Sequence, residues 1–481
     1  MDPTASPYDP AELRAMGARA GEIVGEYLGS LESRGVSPPA DPRALTAFFA
    51  DRIAAEGVGW RRAFDELREV ALPTAMGIPH PLYLGLMNSS PWPAGIFAES
   101  LVAGFSQNAG SFRQSPPATA AEWAVTRFLC DKVGYGKGSL GTLVPGGTLA
   151  NLTALLCARD RAFPAWIEEG PAAASGKRPS FYASEEAHFS IARNATVLGL
   201  GRSSLRRVPT VGRGTMDPAA LASLVARDRK EGWSPFAVVA TACTTATGAI
   251  DPIPEVAAIA AREGLWLHVD AAFGGAALLS ERDRSLLAGI EAADSVTIDP
   301  HKWFFVPLLA GAILVRDEAD LARSLDAEPS YVPGTAGVVD YFRRTLQGSR
   351  RGDALKVWAS LRAAGTAALA RAVERTSDHA RHLERLLAAR GFEILPGGRM
   401  PIVAFRLRPA GVEGEALDEV QRELERRLLA WNRAWFATAR FRGRIWLRAN
   451  FASLLTAERH VEELAEWLGA QQEALRRPRR S

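Results

Sequence analysis

The 481 residues carry 57 Lys plus Arg against 54 Asp plus Glu, a formal charge of +3. That surplus is too small to specify a nucleic-acid partner, and the basic end RRPRRS reads as a solvated tail. Cys130, Cys157 and Cys243 are far apart and lack metal-ligand spacing, the start MDPTASPYDP lacks a signal-peptide layout, and FFVPLLAGAILV at 304–315 is too short and Pro-broken to span a bilayer, so a cytoplasmic protein with no membrane partner is expected.

Leu13, Met16, Ala20, Ile23, Val24, Tyr27 and Leu28 recur at helical spacing, which predicts a helix over 11–35. SPPADPRAL breaks it and DPRALTAFFADRI starts another, so residues 1–80 read as an N-terminal helical arm. Gly136, Gly138 and Gly141 match the G-x-G-x-x-G dinucleotide pattern. The preceding TAAEWAVTRFLCDKV reads as a helix instead of a strand, so a nicotinamide site is not expected. Short apolar strands follow at 181–184, 236–241, 265–270, 295–298 and 311–315, with helical stretches at 217–228, 254–263 and 280–292 between them. This alternation predicts an α/β fold with a doubly wound, mostly parallel sheet over 81–374. From 375 to 481, Arg/Glu/Leu-rich helices interleave with FEILP, PIVAFRL and RIWLRAN, the pattern of a small α+β domain.

Open α/β sheets bind ligands at the carboxyl ends of their strands. Gly146, Gly147 and Thr148 precede the helical run LANLTALLCARDRAF, and a helix N-terminus of small residues favours a phosphate; an ordinary Gly turn with a Thr cap has the same sequence. Asp270 ends the strand LWLHVD and is followed by AAFGGAA, which leaves room for a flat ligand, although a loop or capping aspartate fits as well. His268, Asp270 and His301 also allow an iron triad, a usage at home in all-β barrels. Lys302 lies past the strand SVTI, within ADSVTIDPHKWFFVP, where a lysine next to an apolar run needs a reason. Burial disfavours the charged form of an amine, and a neutral amine condenses with an aldehyde. Lysine, strand-end aspartate and phosphate cradle together match the needs of pyridoxal 5′-phosphate: a Schiff-base amine, an anion at the pyridinium nitrogen and an anion hole. His188 in YASEEAHFSIARNA follows a strand and opens a helix, as a ligand-facing residue should.

FYASEEAHFSIARNATVLGLG, TACTTATGAIDPI, LWLHVDAAFGG and ADSVTIDPHKW, with ALKVW at 354–358, resemble the successive motifs of the group II pyridoxal-phosphate-dependent amino acid decarboxylases, the family of aromatic-L-amino-acid decarboxylase. The resemblance implies the fold type I, aspartate-aminotransferase-like architecture and a homodimer with active sites at the subunit interface. It makes Lys302 the Schiff-base lysine, Asp270 the partner of the pyridine nitrogen, and His188 and Ala272 the residues on the two faces of the cofactor ring. Gly147 and Thr148 fall in the phosphate turn, Asp299 and His301 beside the lysine, and Thr245 near cofactor and substrate. Tyr331 in AEPSYVPG matches a loop tyrosine that protonates the substrate carbon once CO2 has left. Histidine at 188 and tyrosine at 331 favour simple decarboxylation over the aldehyde-forming branch.

Pro145 stands in the phosphate turn where a serine is common. On the substrate side, Leu86, Met87 and Asn88 replace the aromatic-plus-proline lining of the animal enzymes, and Asn108, Ala109 and Gly110 occupy the segment expected from the partner subunit. Aromatic L-amino acids are the expected substrates, with Met87, Trp92, Phe105 and Phe112 as apolar candidates for the pocket. Arg113 is the residue that would admit an acidic substrate. An aliphatic amino acid, a carbon–carbon lyase of the same fold and a pseudoenzyme dimer scaffold are the competing readings.

Overall fold

Asp9 and Asp41 each accept a hydrogen bond from the backbone N–H two residues on, and each precedes a proline. Helices therefore begin at Pro10–Gly29 and Pro42–Ala50 in the computed structural model, which describes residues 8–174, 176–327, 334–335 and 337–476. The helix predicted over 11–35 stops early. Gly29 and Ser30 are poor helix formers, and a tighter 3₁₀ turn, Leu31–Ser33, takes over and buries Leu31. A third helix, Trp60–Thr74, lies against the first, joined by Arg19–Asp65 and Arg68–Glu26 ion pairs and by the Trp60 indole donating to Glu12.

The large sheet contains β1 (Leu140–Val144), β2 (Arg178–Ser184), β3 (Leu205–Val208), β6 (Trp233–Thr241), β7 (Trp266–Asp270), β8 (Ser295–Ile298) and β9 (Gly311–Val315), in the order β1-β9-β8-β7-β6-β2-β3. Between β3 and β6, β4 (Thr210–Val211) and β5 (Thr215–Met216) form a separate hairpin. Only β9 runs against its neighbours; the other six strands share one direction. Successive residues point to opposite faces, so Val238, Ala240, Leu267 and Val269 enter one apolar cluster while Ala237, Val239, Trp266 and Ile313 enter the other. Burial on both faces explains why these strands read as unbroken apolar runs.

The helix Gly147–Ala162 covers the Trp266 face with Ala150, Ala154, Leu155 and Cys157. Helices Pro218–Lys230 and Ile253–Glu263 cross over on the opposite face. The helix predicted at 280–292 is instead two 3₁₀ segments, Arg284–Leu287 and Ile290–Ala292. Gly289 between them has φ +87°, a left-handed conformation that ends a helix.

The C-terminal sheet is antiparallel, with β10 (Glu393–Ile394), β11 (Ile402–Arg406), β12 (Ala437–Phe441) and β13 (Arg444–Asn450) in the order β10-β11-β13-β12. Leu383, Leu424 and Leu464, from helices Thr366–Ala389, Gly414–Trp431 and Glu458–Arg476, pack with its Phe405 and Leu447. Leu82 and Leu84 join this cluster, and Leu84 N–H donates to the Trp435 carbonyl. The 82–90 segment thus passes from the small sheet to the carboxyl ends of the large one.

Candidate active site

The carboxyl ends of β1, β6, β7 and β8 meet around a cavity of about 260 Å³. Chain direction puts them there: parallel strands end at one edge, and the loops leaving that edge supply the lining. Lys302 follows β8 by four residues, in a turn where its N–H donates to the Asp299 carbonyl. Its side chain is 22% exposed and its Nζ lies 3.1 Å from Asp299 Oδ2. The lysine is therefore not sealed in the apolar run that follows it. Trp303, Phe304 and Phe305 take the core positions, and the amine turns to the cavity.

Asp299 is itself 1% exposed. Its Oδ2 also accepts from Gly147 N–H at 3.0 Å and lies 3.8 Å from His301 Nε2, whereas its Oδ1 is buried without a hydrogen-bond partner. His301 Nδ1 lies 2.7 Å from the Ala310 carbonyl oxygen, and burial lowers the imidazole's pKa from its ordinary value.

Gly146 has φ +129°, and a Cβ on Gly147 would stand 2.9 Å from Asp299 Oδ2 and 3.2 Å from the Ala272 methyl. Only glycine fits there. The helix Gly147–Ala162 consequently opens onto the cavity with Gly147, Thr148 and Leu149 on its lining, and a helix N-terminus favours an anion.

Asp270 ends β7 and is 6% exposed; its Oδ1 accepts from Ala272 N–H at 3.2 Å and its Oδ2 from Asn151 Nδ2 at 2.8 Å. His188, partly buried, places Nδ1 2.8 Å from Ser190 Oγ, and burial lowers its pKa against the opposing pull of Asp270. Thr245 lines the cavity too, and its carbonyl accepts from Arg448 Nη1 at 2.6 Å. Arg448 also donates to the Gly85 carbonyl, tying the 82–90 segment to the site.

Lys302, Asp270, His188, Ala272, Gly147, Thr148, Thr245, Asp299, His301 and Met87 therefore converge on one cavity. Leu86, Asn88 and Asn108 do not line it. Asn450 holds the Leu86 carbonyl and Leu86 is 49% exposed, so Met87, its neighbour in the bend at 85–87, turns inward in its place. Asn108 is engaged elsewhere, accepting from Gly110 and Arg350 N–H groups. Tyr331 lies outside the described residues. His268 is fully buried against Asn151 and Ser295, and among the described residues no cluster of metal-ligating side chains is found.

Sequence reading missed Asn151, which stands one helical turn after Gly147 and joins the site to the layer beneath it. Position i+4 from the cradle glycine was the available signal, since those two residues share a helix face.

A family model described as the pyridoxal-dependent decarboxylase conserved domain matches residues 50–408. The chain is 28% identical to the aromatic-L-amino-acid decarboxylase of Bacillus atrophaeus over 91% of its own length and 90% of that protein's. It is 32% identical to an L-2,4-diaminobutyrate decarboxylase of Acinetobacter baumannii, with 85% and 83% covered. The crystal structure of Oryza sativa TDC with PLP and tryptamine superposes with a TM-score of 0.93 at 27% identity, covering 98% of this chain and 100% of that one.

Proposed function

The chain belongs to the pyridoxal-dependent decarboxylase family, carboxy-lyases that work with pyridoxal 5′-phosphate, and on that premise we propose that it converts an aromatic L-amino acid to the corresponding amine and CO2. The observation that carries the aromatic reading is the make-up of the cavity wall: Met87, Leu309, Phe273 and Pro145 are apolar, and Lys302 is the only Lys or Arg among the described lining residues. A second carboxylate on the substrate would find no basic partner there. Arg113, the candidate for one, is exposed and away from the cavity in this chain.

The cavity fits the cofactor on its own terms, with a cradle that a Cβ would fill and a lysine amine beside it. Gly147 and Thr148 would hold the phosphate, Lys302 the aldehyde carbon, and Asp270 the ring nitrogen, with His188 and Ala272 flanking the ring. When bound, the cofactor supplies an electrophilic carbon and a ring that accepts the electron pair left by CO2.

The chain's own groups do the rest. Met87, Pro145 and Leu309 would offer the substrate side chain an apolar stretch of the cavity lining. Lys302 Nζ, 3.1 Å from Asp299 Oδ2, would have that carboxylate as its counter-ion whenever its amine is not bound to the cofactor. Tyr331 is our proposed donor of the proton to the substrate Cα. Phe97, Leu101 and Phe105 recur every fourth residue on the helix Pro93–Phe105 and are more than half exposed. That apolar row supports pairing with a second copy of the chain.

A panel of single L-amino acids, assayed for CO2 and amine with added pyridoxal phosphate, tests the reading. Release from tryptophan, tyrosine, phenylalanine or Dopa is expected. Activity confined to glutamate, aspartate or 2,4-diaminobutyrate would move the substrate and keep the reaction.

A further inference from the structure

Trp266, His268 and Asp270 alternate along β7 and project to the face covered by the helix Gly147–Ala162. On β8, Ser295 and Thr297 lie in register beside His268 and Asp270. Asn151 reaches down from the helix into this row. All four polar residues behind Asp270 are buried: Asn151 is 1% exposed, and His268, Ser295 and Thr297 are wholly enclosed.

Two fixed ends determine the polarity of the hydrogen bonds. A carboxylate only accepts, so Asn151 must turn its Nδ2 to Asp270 Oδ2, 2.8 Å away. Its Oδ1 is then left as the acceptor for the Thr297 hydroxyl at 2.8 Å and for His268 Nε2 at 3.0 Å. His268 consequently carries a proton on Nε2 and, when neutral, accepts at Nδ1 from Ser295 Oγ, 2.9 Å away, a nearer partner than the Ser295 carbonyl oxygen at 3.2 Å. Ser295 Oγ in turn accepts from the Trp266 indole at 2.9 Å, and an indole N–H can only donate. Every donor in the row points toward Asp270. Burial pushes the His268 pKa down to about 4, which keeps the imidazole neutral as this arrangement requires.

We propose that Asn151, backed by Thr297 and by the His268–Ser295–Trp266 row, is a positioning residue that fixes the orientation of the Asp270 carboxylate toward the cofactor's ring nitrogen. The inference rests on the reading of Asp270 as that nitrogen's partner. Ala150, Ala154 and Ile313 pack in the same layer, and the Asn151 amide also reaches the buried Ser190 Oγ at 3.2 Å. A polar row kept there, satisfied from end to end, holds one geometry because every alternative leaves a buried group unpaired.

The test measures the pyridoxal phosphate dissociation constant and the absorbance spectrum of the bound cofactor, neither of which requires turnover. Asn151→Ala is expected to weaken cofactor binding by about tenfold or more and to change the spectrum, since it removes a hydrogen bond to a charged group. Thr297 separates positioning from packing. Thr297→Val keeps the shape and loses the hydroxyl, so it should weaken binding by about three- to tenfold. Thr297→Ser keeps the hydroxyl and should stay within about twofold. The reverse order, with valine harmless and serine impaired, would overturn the proposal. Asp270→Asn serves as the reference. If it alters neither affinity nor spectrum, the assignment of Asp270 itself fails; if it alters both while Asn151→Ala and Thr297→Val alter neither, only the positioning role falls.

Discussion

Asp270 and Asp299 line the same cavity, both nearly inaccessible to solvent, yet they are held in unlike ways. Asp270 is fixed by neutral donors alone, the Asn151 amide and the Ala272 N–H. Asp299 meets the Lys302 ammonium at 3.1 Å, the Gly147 N–H and the nearby His301. Neutral donors orient a carboxylate without cancelling its charge, so Asp270 is left to answer a cationic group on a ligand. The charge of Asp299 is already answered by the protein's own lysine. On the proposed reading one carboxylate recognises the cofactor, while the other steadies the Lys302 amine and the Gly147 turn.

Breaking each end separately sharpens this contrast. The largest effect belongs to Lys302→Ala, which removes the amine and the cation facing Asp299. Turnover should fall by at least about 10⁴-fold with the fold intact, measured as amine release and circular dichroism. Asp270→Asn should lower kcat by about 10²–10³-fold, because the compensating anion is lost where charge develops. Asp299→Asn, in contrast, should change kcat by less than about tenfold, since asparagine still offers an oxygen to Gly147 N–H. Equal losses in the two asparagine variants would erase the distinction between the carboxylates.

The row behind Asp270 also has a pH signature. His268 titrates near 6.5 when unfolded, and burial lowers it to about 4 in the folded chain. Below 6.5 the unfolded state takes up a proton that the folded state refuses, so this group's contribution is complete above 6.5 and is lost as the pH falls toward 4. The loss amounts to about 3 kcal/mol. Denaturant unfolding of His268→Gln should lack that part of the acid-induced decline; identical slopes for variant and wild type would show that His268 is not held neutral. The smallest effect is expected at Cys243, a non-glycine residue with φ +87° whose buried thiol lines the cavity. Cys243→Gly should raise stability by up to about 1 kcal/mol by relieving that backbone, and a melting temperature below that of the wild type would contradict the strain.

Much of this site is legible in the chain because strand ends are legible. The runs FAVVAT, LWLHVD and SVTI are buried on both faces and mostly apolar, each stops at or just before a polar or turn residue, and parallel topology brings those stops together. Asp270 and Lys302 follow from that alone, whereas Asp299 entered through the family resemblance. Asn151 does not follow, since an asparagine inside a helical run carries no mark of what lies across from it; only the packing of the helix onto β7 and β8 reveals its three partners there, Asp270, His268 and Thr297. The 280–292 stretch misleads for a local reason. Leu286, Leu287 and Ile290 give it an apolar face, but Gly289 breaks the backbone between them. Leu86 and Met87 show the same limit in a bend, where sequence finds the pair and only the hydrogen bonds of Arg448 and Asn450 decide which member faces inward.

The central claim is that Lys302 is the amine that holds the cofactor. Its most direct test is borohydride reduction of the enzyme loaded with pyridoxal phosphate, followed by peptide mapping by mass spectrometry. A single stable pyridoxyl label on the peptide containing Lys302 is the predicted result. A label on another lysine, or none on a protein that still decarboxylates, would contradict it.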